Sequence, residues 1–137
     1  MENWLTFSLV TMLLWGSWSV LSKLGTGRMS TLGAKVWETI GFTLATIPIL
    51  MYLGFRVVWD EQGFLYSVLG GLTGGLGNYF YYRAFSQGGK AAVVTALVST
   101  YPVLTVLLAW WVLNESITTT QTLGCACAIG AATLMAE

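Results

Sequence analysis

Charge is what this sequence has least of. Only 9% of its 137 residues are Asp, Glu, Lys or Arg, there is no histidine, and only two residues are cysteine. A soluble domain of this length needs far more charge to cover its surface, so the scarcity excludes an ordinary globular chain in water. The lack of histidine removes the commonest metal ligand and the usual proton shuttle near neutral pH. Cys125 and Cys127 are two positions apart, so on a helix they face different sides and cannot be joined, and two thiols without histidine make a poor metal site. Neither a metal nor a cofactor is expected, and both cysteines read as small packing residues. Six basic residues balance six acidic ones, which removes the electrostatic footprint of a nucleic-acid binder. There is no Walker sequence for a nucleotide. With no acid pair and no nucleophile–base pair inside the apolar runs, an enzyme is not expected.

What is present is apolar. Hydrophobic residues make up 55% of the chain, and its mean hydropathy is +0.70. A helix crossing lipid takes roughly 20 apolar residues, so five crossings consume about 100 and leave only short loops. The fold class expected is therefore an all-α membrane protein of five transmembrane helices, with membrane lipid as the surrounding partner. The segments fall at about 4–22, 36–55, 64–82, 91–113 and 119–136, broken by Gly25–Arg28, by a polar turn at Asp60–Gly63, by the stretch from Arg83 to Lys90 and by Asn114–Ser116. The N-terminus carries neither the basic region nor the cleavage site of a signal peptide, so the first run is expected to stay as a helix. Lys23, Arg28, Lys35, Arg83 and Lys90 fall on one side of such a topology and only Arg56 on the other. The positive-inside rule then places the N-terminus out and the C-terminus in the cytoplasm, across a cell inner membrane.

Lipid gives helices no hydrophobic reason to associate, so small residues and polar groups must hold them together. Gly70, Gly71, Gly74, Gly75 and Gly77 crowd the third segment, and Gly124, Ala128 and Ala132 form a stripe on the fifth. Polar stripes point to a lined cavity. Trp15, Trp18, Ser19 and Ser22 share a face of the first segment. Lys35, Glu38, Thr39 and Phe42 share one on the second, Gly71, Gly75, Asn78 and Tyr82 one on the third, and Thr95 and Ser99 one on the fourth. The substrate path read from these stripes is Trp15, Trp18, Ser19, Glu38, Asn78, Tyr82, Thr95, Ser99 and Pro102. For any one serine or threonine the competing reading is a hydroxyl bonded to its own backbone. Trp4, Trp59, Trp110 and Trp111 fit an interfacial aromatic belt. Glu38 is the one acid inside a span and is functional by default, binding protons or attracting a cation; alternatively it is an interfacial partner of Lys35. Pro102, halfway along the fourth segment, deprives the Val98 carbonyl of its partner and is expected to kink the helix, either as structure alone or as part of a midplane site. Glu115 reads as turn chemistry, with Ser116 or a following threonine capping the last helix.

The glycine-rich segment closing on "YYRAF", followed by "GGKAAVVTALVSTYPVLTVLLAWWVLNE" and a short last helix, resembles the second part of an EamA domain. That domain is the repeat unit of the drug/metabolite transporter superfamily. The opening "LLWGSWSVLSKLG" is similar to the first helix of the same domain, so the resemblance extends over a single domain at 1–137. It implies a transporter of small organic solutes that works by alternating access. Most members carry two domains in inverted orientation, and one five-helix unit is half of such a device, so a dimer is expected. Its second member is either a copy of this chain or a chain of opposite orientation. The five-to-one bias in basic residues argues against one chain inserting both ways. The small multidrug resistance relatives use a glutamate in their first helix, which here has no acid, so that mechanism does not carry over by motif. The competing function is a non-transporting membrane assembly subunit docked through its small-residue stripes.

Overall fold

In a computed structural model the chain is described over residues 3–136, with side chains over 5–135, so Trp4 lies outside the described side chains. Six α-helices follow in order: α1 (Asn3–Thr26), α2 (Thr31–Tyr52), α3 (Glu61–Ser86), α4 (Ala91–Val98), α5 (Tyr101–Val112) and α6 (Thr119–Ala136). No strand occurs among the described residues. Two compact units divide the chain, Met1–Gln87 and Gly88–Glu137.

The helix ends follow local chemistry. Ser30 caps α2 by accepting from Gly33 N, and Asp60 caps α3 by accepting from Gly63 N at 2.6 Å. Each satisfies one of the orphan N–H groups of a first turn. Trp59 packs on Phe64 with ring centroids 4.7 Å apart, the hydrophobic staple of that start. Asp60–Gly63 is therefore a helix start rather than a turn. Likewise α1 runs through Gly25 to Thr26, α2 begins five residues before 36, and α3 runs past Arg83 to Ser86. Polar side chains at helix ends mark solvent but do not stop a backbone. The helix α2 closes at Gly54 (φ 59°), with Phe55 N reaching Leu50 O and Gly54 N reaching Met51 O, a Schellman ending that needs the left-handed residue. Pro48 lies inside α2, a second helix proline besides Pro102.

In the first unit α1, α2 and α3 pack pairwise, and the packing gathers at one end. Ser19 and Ser22 of α1, Thr31 and Ala34 of α2, and Tyr81, Tyr82 and Phe85 of α3 are its buried residues. Away from that end, residues 5–17, 39–49 and 61–74 are exposed throughout. Gly70, Gly71, Gly74, Gly75 and Gly77 of α3 have open space where a Cβ would stand, so within this unit they do not mediate packing.

In the second unit α6 packs on α4 and α5. The fourth segment is interrupted at Ser99–Thr100, and Pro102 stands in the first turn of α5, where its missing N–H costs nothing. Thr100 covers the Leu97 carbonyl with both its N–H (3.2 Å) and its hydroxyl (2.7 Å). Asn114, at φ 54°, ends α5, and Glu115 N returns to Ala109 O. Thr118 and Gln121 form a reciprocal capping box: Gln121 N donates to Thr118 Oγ1, and Gln121 Oε1 accepts from Thr118 N. The cap of the last helix is thus a threonine and not Ser116. The inward stripe of α6 runs through Cys125, Ala128 and Ala132; Cys127 and Gly124 are exposed.

Apolar side chains are exposed over nearly the whole surface, Trp59, Trp110 and Trp111 among them. A surface that apolar is a lipid-facing one. Among the described residues, two stretches are long and apolar enough to cross a membrane, 5–26 and 91–112.

Candidate functional site

The packed end of the first unit is organised around one carboxylate. Glu38 projects from the second turn of α2, with its side chain only 6% exposed. Its Oε1 accepts from Trp18 Nε1 of α1 and from Asn78 Nδ2 of α3, both at 2.8 Å. Its Oε2 accepts from Asn78 Nδ2 at 2.8 Å and from Lys35 Nζ at 2.6 Å. The reading of Glu38 as the intrahelical partner of Lys35 is met, and the same carboxylate is also the point where three helices join. Each bond to a charged group in low dielectric is strong, and none can be removed without stranding the carboxylate.

Around this centre lies an aromatic and hydroxyl layer. Trp18 stacks on Tyr81, with centroids 5.0 Å apart and planes 15° apart, and Tyr81 meets Phe85 edge-on at 4.5 Å. The Ser19 and Tyr81 hydroxyls share a 2.6 Å hydrogen bond. Lys23 Nζ donates to Phe85 O at 3.1 Å and lies 5.6 Å from its ring, a cation at the carbonyl end of α3. Against this layer opens a cavity of about 340 Å³, lined by Trp18, Ser22, Trp37, Glu38, Phe42 and Tyr82 among others, and its surface is overwhelmingly apolar.

Of the nine path residues read from the sequence, Trp18, Ser19, Glu38, Asn78 and Tyr82 converge here. Trp15 does not: it is 58% exposed and faces outward on α1. Thr95, Ser99 and Pro102 belong to the second unit, Thr95 half-buried and the other two exposed. Most hydroxyls follow the backbone-bonded alternative. Thr11, Ser17, Thr26, Thr39, Thr43, Thr46 and Thr73 each donate to a carbonyl four residues earlier. Tyr81 was missed. Its position beside Tyr82 in "YYRAF" puts both rings on adjacent faces of α3, and only the third helix's placement reveals that both are inward. Ser22 was on the first segment's stripe but not on the path, although it lines the cavity.

Three helices pinned at one end by a buried, hydrogen-bonded carboxylate, and clothed outside in exposed apolar side chains, define a helical membrane protein with an open, largely apolar pocket beside that carboxylate. A sequence model of the EamA-like transporter family matches residues 2–136, and the chain belongs to that family, a drug/metabolite type of membrane transporter. The members of this family are transporters rather than enzymes. No curated protein and no solved structure matches the chain.

Proposed function

We propose that the chain is a single EamA-like domain over 1–137 that crosses the membrane five times and carries small organic solutes by alternating access, as a dimer. The observation that carries the reading is the Glu38 cluster on the wall of the first unit's cavity. A buried ionisable group at membrane depth is costly, and cells keep one where it works. The dimer is supported by the first unit's open arms: the glycine face of α3 is unfilled within the unit, and small-residue faces are where membrane helices approach closely. The partner is a second copy or a chain of opposite orientation. The break at Ser99–Thr100 in the fourth segment supports a hinge, since discontinuous helices recur at transporter sites. The basic-residue bias supports an inner-membrane topology with the N-terminus out and the C-terminus cytoplasmic.

The test is flux into proteoliposomes of purified protein, over a panel of amino acids, hexoses and organic amines. Transport by the wild type, lost in Glu38→Gln and Asn78→Ala, is the expected result. Wild-type flux in both variants removes these residues from the path. No flux with any solute favours the second reading, an assembly subunit, for which the same open glycine face of α3 would be the docking surface.

A further inference from the structure

The pocket between α1 and α2 opens outward. Four of its lining side chains, Leu21, Met29, Trp37 and Phe42, are 44–65% exposed and form its rim. The one charged residue of the lining, Glu38, has both oxygens engaged by Trp18, Asn78 and Lys35. What the pocket offers is therefore apolar surface. Its lining runs along α2 from Ala34 to Phe42, about 12 Å at 1.5 Å per residue. That is most of the roughly 15 Å of hydrocarbon in one leaflet. An outward-open apolar groove of that length, in a chain surrounded by lipid, matches an acyl chain lying along the helices.

Charge says which lipid. Among the described residues of the first unit, Lys23, Arg28, Lys35 and Arg83 stand at the packed end against the single acid Glu38. The far end carries Arg56 with Asp60 and Glu61. Lys35 is paired with Glu38, and Lys23 gives its ammonium to Phe85 O. Arg28 and Arg83 are exposed, and among the described residues neither side chain makes a hydrogen bond or an ion pair. Arg28 directly precedes Met29 on the rim, at the end of the pocket marked by Gly25 and Ala34. A guanidinium fork placed there matches a phosphate in shape as well as in charge.

We propose that this groove holds one acyl chain of an acidic phospholipid, with the headgroup phosphate on Arg28 and with Arg83 adding attraction at the same end. The tail covers the side that α1 and α2 leave open beside the Glu38 cluster. The inference stands apart from the transport reading, since a solute passing through this pocket would have to displace the tail.

Phosphatidylglycerol and phosphatidylcholine with the same chains share tails and phosphate and differ in net charge. Native mass spectrometry of purified protein in detergent, given equal amounts of both, reads which lipid stays bound and how many. One phosphatidylglycerol per chain is expected, favoured at least fivefold, about the attraction of one basic residue for an acidic membrane surface. Arg28→Gln should lower that preference about fivefold, and Arg28→Lys should keep part of it. Arg56→Gln, at the far end, should leave it unchanged. Gly41 lines the groove and has nothing within 4 Å of a Cβ position, so Gly41→Leu should fill the space and lower retention of both lipids. If that variant fails to fold, Arg28→Gln still decides. No retained lipid, equal retention of the two, a preference unmoved in Arg28→Gln or lost equally in Arg56→Gln, or full retention in Gly41→Leu would each overturn the proposal. Phosphatidylglycerol retained without flux of any solute keeps the inference and removes the transport reading. Flux without a lipid preference does the reverse.

Discussion

Asn78→Leu removes both of the contacts by which α3 holds the Glu38 carboxylate through this amide, at 2.8 Å to each oxygen. Two magnitudes compete for its cost. Interhelical hydrogen bonds between neutral groups in membrane proteins average only about 0.6 kcal/mol, because the separated helices find other partners in lipid. Hydrogen bonds to a charged group are worth about 1.5–3 kcal/mol, and a carboxylate that loses a donor in low dielectric is stranded. The Glu38 side chain is 6% exposed, so water cannot replace the amide and the larger figure should win. A double-mutant cycle isolates the pair, with Asn78→Leu, Glu38→Gln and both together, read as coupling energy. Equilibrium unfolding in mixed micelles can be followed by tryptophan emission, since Trp18 bonds the same carboxylate and stacks on Tyr81. The expected coupling is about 1.5–3 kcal/mol. A value at or below about 0.6 kcal/mol would show the cluster to be an ordinary polar contact, and the reading of Glu38 as the joint of the unit would fail.

Asp60→Ala removes the 2.6 Å cap on Gly63 N and should cost about 1 kcal/mol in the same unfolding assay, with Asp60→Asn close to wild type; equal losses in both would mean the cap is not the cause. Gly71→Leu with Gly75→Leu adds bulk where nothing stands within 4 Å in the chain. It should leave unfolding of the monomer within about 0.5 kcal/mol of wild type while abolishing cross-linked dimers in membranes, and persistent dimers would move the interface elsewhere.

The convergence of Trp18, Ser19, Glu38, Asn78 and Tyr82 was legible because each lies on a helical stripe, and polar groups too large or too charged to be met by their own helix have to turn toward a neighbouring one. The same rule misplaced Trp15. A tryptophan is apolar enough to face lipid at any depth, so its membership of the stripe by spacing carried no force, and it is exposed while Trp18, three residues on, is held by a hydrogen bond. Helix starts were misread for a related reason. Asp60–Gly63 has the composition of a turn, and only the pairing of Asp60 Oδ1 with Gly63 N distinguishes a cap from a loop. The capping box at Thr118 and Gln121 could have been found, since a threonine followed three residues later by glutamine is its signature.

Pro102 shows what spacing alone cannot supply. A proline in an apolar run predicts a freed carbonyl four residues back and a kink about itself. The chain instead breaks two residues earlier, at Ser99–Thr100, so that the proline falls in a first turn where no N–H is needed. At the break the Leu97 carbonyl is met locally, by both the N–H and the hydroxyl of Thr100. A helix interrupted in this way keeps its backbone bonded on both sides of a two-residue joint.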